Sequence, residues 1–317
     1  MIMKKIILFL SVLILSIVVV VSCNNKGVTG SNTGITGQNI GNGPAKTDIP
    51  TGENIAFKED FNEGTIPDDF CGLCVTEESP STWNRYFQNT DGYEMVRIED
   101  GNLVLKAIYD GSKGGDDFRT GGVYSHNNRY GVGTRLSVRA KLKNPNPSGN
   151  NDFNVRGAFP AIWYYPLFTK NPWPDDGEID LMEWIIDNPQ KAWLTVQYSK
   201  ASGGSTSKTA NSPGVNTGID MNAYHVYTCD IVKDKVILYI DGKKALEFTP
   251  SDPAGQKRYP YNDMTYYIIL NASYQNGSWC PAPNKDSSAN YEMWVDWVKV
   301  EKIDPDDSSP ALPSTTF

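Results

Sequence analysis

Three acids fall inside six positions of this chain, Glu178, Asp180 and Glu183, and the residues between and after them are apolar. Ile179, Leu181, Met182, Trp184, Ile185 and Ile186 are strand formers, and Pro174 and Gly177 punctuate the entry, so the segment reads as a buried strand. Alternate side chains of a strand share a face, which points Glu178 and Asp180 the same way and Glu183 the opposite way. One extra residue at Leu181-Met182, a β-bulge, would turn Glu183 back beside the other two. Three carboxylates on one face repel one another and are costly to desolvate, so stability alone does not select them. A solvent-facing acidic strand edge would need more polar neighbours. Such a set suits glycoside hydrolysis. One ionised carboxylate attacks, a protonated carboxyl about 5 Å away supplies the acid, and a third acid between them tunes the pair.

The pattern Glu-x-Asp-x-x-Glu behind Trp173-Pro174-x-x-Gly177 resembles the signature of glycoside hydrolase family 16. Other stretches resemble that family in the same order: Phe57-x-x-Asp60-Phe61-Asn62, Asp100-Gly101-Asn102-Leu103, Tyr130-Gly131 followed by Arg139-Ala140-Lys141, and Pro160-Ala161-x-Trp163. The resemblance spans about residues 55 to 302. It implies an all-β jelly-roll sandwich of two curved antiparallel sheets, with a substrate cleft on the concave face. It implies Glu178 as nucleophile, Asp180 as relay and Glu183 as acid/base in a retaining, endo-acting enzyme that needs no cofactor for catalysis. It further implies that Trp163, Trp173 and Asn271 line the cleft, and that Asp60, the Gly101 carbonyl and Asp296 form a structural Ca²⁺ site on the convex face.

The elements that must position the acids read independently as β. The 317 residues include 28 Gly, 20 Pro and 17 Tyr, which indicates many turns and aromatic strands rather than a helical bundle. Runs at 101–107, 121–125, 130–141, 158–165, 193–198, 224–227, 235–243, 266–274 and 293–300 are short, apolar and separated by Gly, Asn and Pro, as in a sandwich or barrel. Within Trp193–Tyr198, alternation sends Leu194 and Val196 to the core and Trp193, Thr195 and Gln197 to the cleft. The 202–216 stretch, rich in Gly, Ser and Thr, is expected to be an exposed loop at the cleft rim. Trp184 is expected in the core, Trp193 and Trp279 beside the substrate, and His126 and His225 in structural roles.

The ends of the chain are different. Residues 1–23 carry Lys4 and Lys5 before an apolar run that closes at Val20-Val21-Ser22-Cys23, which looks like a bacterial lipoprotein signal with acylation of Cys23. Residues 24–51 read as a flexible tether, 52–303 as the catalytic domain and 304–317 as a disordered tail. The expected protein is a monomer held at the cell surface or outer membrane by its lipid alone. A formal net charge of −8 argues against a nucleic-acid partner.

Cys71-x-x-Cys74 lacks the further ligands a zinc site needs, while a local disulfide or a Cys229–Cys280 bridge suits an oxidising surface. Gln197 stands where the commonest β-1,3-glucanase pattern often has His, and Ile231 where it often has Trp. Both tilt the expected substrate toward galactose-containing chains, with laminarin or mixed-linkage glucan as the alternative. A sugar-binding, non-catalytic module of the same fold is the rival of another class, and it would have no use for three converging acids.

Overall fold

The computed structural model describes residues 54–73, 82–83, 93–113, 118–144, 153–166, 171–210, 212, 214–251, 256–275 and 280–313. Cys23, Cys74 and Trp279 lie outside them. Two large antiparallel sheets face each other, the jelly-roll sandwich expected from the sequence. One has seven strands, in the order Ser205–Thr209, Trp193–Ser199, Glu178–Glu183, Ala161–Tyr165, Tyr267–Asn271, Gly122–Ser125 and Phe70–Gly72. The other is built on the path Lys243–Phe248, Lys235–Ile240, His225–Val232, Thr134–Lys143, Tyr291–Lys302, Asn102–Tyr109 and Val96–Glu99. Ile55–Glu59 and Phe118–Thr120 attach to it.

Period-2 patterning builds the core. Leu136, Val138, Ala140 and Leu142 point inward from one long strand, and Met293, Val295, Val298 and Val300 from its neighbour. They meet Ile162, Tyr164, Ile179, Leu194, Val196, Ile268 and Leu270 from the seven-stranded sheet. Trp184 is fully buried here, with its indole N–H donated to the Pro189 carbonyl at 2.9 Å. The opposite face of the seven-stranded sheet carries a separate cluster: Cys71, Leu73, Tyr124, Tyr165, Tyr267 and Ile269, with Trp163 and Trp173 packed against it.

Three expectations are corrected. Ser205–Thr209 is an edge strand paired with Trp193–Ser199, because its Ser and Thr side chains suit a half-exposed pleat and the neighbouring strand offers unpaired backbone. The 304–313 segment is not disordered. Arg135 donates to the Ala311 carbonyl, Lys235 to that of Ser308, and the Lys233 amide to that of Pro305. The Cys229–Cys280 bridge is not made: Cys229 is a free thiol in the sheet core and Cys280 a free, buried thiol in a connection.

Candidate active site

The acidic strand contains the bulge that its sequence requires. Asp180 lies opposite Thr195 and Glu183 opposite Trp193, so three steps on one strand match two on its neighbour. Against the other neighbour, Asp180 faces Trp163 and Met182 already faces Ile162. Leu181 and Met182 are therefore consecutive yet both buried in the inter-sheet core. All three acids are left on the outer face.

Register then arranges that face in transverse rows. The Asp180 row runs unbroken across the sheet as Cys71, Tyr124, Ile269, Trp163, Asp180, Thr195 and Thr209. Glu183 sits between Ala161, with Asn271 beyond it, and Trp193. Glu178 pairs with Gln197 and through it Ser207, while Tyr165 and Tyr267 extend its row on the other side. Beside Glu178 and Asp180 the floor is thus largely aromatic on one flank and amide and hydroxyl on the other, while at Glu183 the aromatic side chain, Trp193, stands on the second flank.

The entry to the strand is tightly built. Gly177 has φ +85°, and a Cβ there would lie 2.7 Å from the Tyr266 hydroxyl and 2.8 Å from the Tyr261 ring. Only glycine fits both demands. The Tyr261 hydroxyl donates to the Gln197 carbonyl at 2.6 Å and lies 3.0 Å from that of Glu178, tying the two strand ends together. The Trp173 indole donates to Glu178 Oε2 at 2.7 Å, and the Gln197 amide reaches Asp180 Oδ2 at 3.4 Å.

Among the described residues no cation pairs with the three acids, and Glu178 perturbs the other two. Burial pushes the Glu178 carboxyl up to about 7, with the Trp173 hydrogen bond acting against the rise. Burial, and then the charge of Glu178, push Glu183 up to about 8. Asp180 is raised well above the usual range by burial, then by Glu183 and Glu178. Asp180 is 2% exposed, whereas Glu178 and Glu183 keep part of their surface open to the cleft. Clustered carboxyls whose proton affinity is raised by burial suit acid–base chemistry on a glycosidic bond.

Comparison with known proteins agrees with this geometry. Residues 83–299 match the family described as Glycosyl hydrolases family 16. The chain belongs to that family. It is a glycoside hydrolase. A β-glucanase of Rhodothermus marinus is 26% identical over 217 residues, covering 65% of this chain and 70% of the relative. A β-1,3-glucan-binding protein of Penaeus monodon is 31% identical over 174 residues, 46% of this chain and 42% of its own. One solved structure, described with the words "prominent members of the human gut microbiota express endo-acting O-glycanases to initiate mucin breakdown", superposes with a TM-score of 0.63 at 31% identity. That match covers 79% of this chain and all of the other.

Within this family 16 frame, the remaining expected residues divide. Trp163 stands beside Asp180 on the floor, its ring centroid 5.4 Å from that of Tyr165. Asn271 is 2% exposed, and its amide is used inside the protein. Its Oδ1 accepts the Trp163 indole at 2.7 Å, and its Nδ2 donates to Ser273 at 3.3 Å. It therefore orients Trp163 rather than meeting a sugar directly. Trp193 is beside Glu183 as expected, but Lys191 Nζ lies 3.5 Å from its ring centroid and occupies one face. Trp173 was expected as a stacking platform; its indole N–H is aimed at Glu178.

Tyr165, Tyr267 and Tyr124 are floor residues that sequence reasoning missed. The signal was present in the alternation of Trp163 with Tyr165. His225 is structural, between Asp241 Oδ2 at 2.7 Å and the Asp220 carbonyl at 3.0 Å. His126 packs against Tyr124, with ring centroids 6.3 Å apart. Ile231 is a core residue.

Glu59 lies opposite Val298 and Leu103 opposite Val295 on the same edge of Tyr291–Lys302, so the register carries the chain at Asp60 and at Gly101 toward the stretch that holds Asp296. Carboxylate and carbonyl oxygens suit Ca²⁺. Asp296 also accepts a hydrogen bond from Arg139, and Asp60 one from the Asn62 amide.

Proposed function

We propose that the protein is a retaining endo-β-glycanase in which Glu178 is the nucleophile, Glu183 the acid/base and Asp180 their mediator. The observation that carries this is the bulge that places three acids on one face with no cation paired to them among the described residues. Glu183 gives its proton to the glycosidic oxygen while Glu178 attacks the anomeric carbon and the leaving chain departs. Water then loses a proton to Glu183 and attacks the same carbon, Glu178 is released, and two inversions retain configuration. Asp180, kept neutral by burial between two carboxyls, can donate a hydrogen bond to the carboxylate of Glu178.

The substrate we assign is a β-linked, galactose-containing chain of the poly-N-acetyllactosamine type, with laminarin or mixed-linkage glucan as the alternative. The 31% identity to an endo-acting O-glycanase structure and Gln197 beside Glu178 favour the first. The 26% identity to a β-glucanase favours the second. Digestion of a panel of these polymers, with products sized over time and followed by NMR, tests the reading. A ladder of intermediate lengths with retained anomeric configuration is expected. Monosaccharide alone, or inverted product, would overturn it. The similarity to a glucan-binding protein favours a non-catalytic reading, which binding without any product would establish.

The proposal includes acylation of Cys23 as the surface anchor, on the strength of the basic, apolar and small-residue order before it. Labelled fatty acid should enter the native protein and not the Cys23→Ala variant. It also includes a structural Ca²⁺ held by Asp60, Gly101 and Asp296. Chelation should lower the unfolding midpoint, and added Ca²⁺ should restore it.

A further inference from the structure

At the Glu178 end of the sheet, a cavity of about 410 Å³ opens beside the aromatic flank of the floor, within the size range of small-ligand sites. Its wall includes Tyr267, Arg129, Arg258, Asn171 and Asp176. Tyr267 joins it to the cleft, since it belongs to the floor cluster that contains Tyr165 and against which Trp163 and Trp173 pack. Asp176, 2% exposed, is already saturated. Its Oδ1 accepts Asn171 Nδ2 at 2.6 Å and Arg258 at 3.0 Å, and its Oδ2 accepts the Asn171 amide at 3.1 Å. Those bonds fix Arg258 against the wall through one nitrogen, leaving a third of its side chain exposed. Arg129 is exposed, with its guanidinium 5.8 Å from the Tyr267 ring centroid, and has no carboxylate partner among the described residues. The other carboxylate of the wall, Asp263, is solvent-exposed beyond a short turn.

We propose that this cavity is a side subsite for an acidic substituent, a sulfate ester or a carboxylate, on the sugar unit bound at the Glu178 end of the cleft. The proposal rests on the glycanase reading and extends it to the substrate's decoration. A guanidinium fork matches both oxyanions, and an Arg pre-set by a buried carboxylate loses little freedom on binding.

The test uses Glu178→Gln protein and oligosaccharides that differ in one group: a neutral N-acetyllactosamine repeat, its 6-O-sulfated twin and a carboxyl-bearing twin. Calorimetric titration at low salt should show an acidic twin bound about tenfold tighter than the neutral one, the scale of a hydrogen bond to a charged group. Arg129→Ala, at an exposed position and checked by its unfolding midpoint, should abolish that ratio. Preference for one twin identifies the substituent. Equal affinity for all three, while wild-type protein cleaves the neutral chain, would overturn the subsite and leave the glycanase reading standing. Failure of all three to bind, with no polymer cleaved, would overturn both.

Discussion

The two sheets treat buried carboxylates in opposite ways. On the nine-stranded sheet Asp230 is wholly buried and held by both oxygens, with Arg135 Nε at 2.6 Å and Nη2 at 2.7 Å, and Asp296 is held by Arg139. On the seven-stranded sheet Glu178, Asp180 and Glu183 have, among the described residues, only an indole, an amide and one another. Burial raises Asp230 as well, but Arg135 pulls it back, whereas the charge of Glu178 pushes Glu183 further up, and both glutamates push Asp180. The first arrangement serves the fold. The second costs stability at neutral pH, and that cost is tolerated because an unpaired acid can give up or take a proton during a reaction.

Neutralising one cleft acid breaks the contrast most. Glu183→Gln should lower kcat on an unactivated glycan by about 10²–10⁴-fold, with a smaller loss on aryl glycosides whose leaving group needs no proton. The same variant should be more stable than the wild type at pH 8. A carboxyl whose folded value lies above its unfolded one of 4.5 carries no cost below that value, and its cost grows as pH rises toward about 8. The gain in unfolding midpoint should therefore appear at pH 8 and vanish at pH 4, at about 2–4 °C per kcal/mol. Equal midpoints at both pH values would mean the site is not strained by its charges.

Removing a partner from the other sheet should do the reverse. Arg135→Ala leaves Asp230 buried and alone, and denaturant melts should show a loss of about 3–5 kcal/mol, shrinking at acid pH as Asp230 protonates. The smallest effect sharpens the comparison inside the cleft. Trp173→Phe removes the one hydrogen bond that lowers the Glu178 proton affinity. The acid limb of the kcat/KM profile should move to higher pH while the alkaline limb, set by Glu183, stays. A change in KM alone, with an unmoved limb, would assign Trp173 to stacking.

Much of this was readable in the chain before folding. The bulge followed from two consecutive apolar residues, Leu181 and Met182, between acids that needed a common face. The Leu194 and Val196 alternation fixed which side of its strand met the core. What side chains do with their polar ends was not readable. Spacing places Trp173 and Asn271 near the acids, but only the folded hydrogen bonds to Glu178, Trp163 and Ser273 show where an indole N–H and an amide are spent. The 304–313 tail misled because Pro and Ser composition reports the lack of a core, not the carbonyls that Arg135 and Lys235 collect.

The central claim is the division of labour between Glu178 and Glu183, and one measurement reaches it directly. Wild-type protein incubated with a 2-fluoro glycoside bearing an activated leaving group should accumulate a covalent adduct, and peptide mass spectrometry should place the sugar on Glu178. A sugar found on Glu183 or Asp180, or turnover with no adduct and inverted product, would contradict the account.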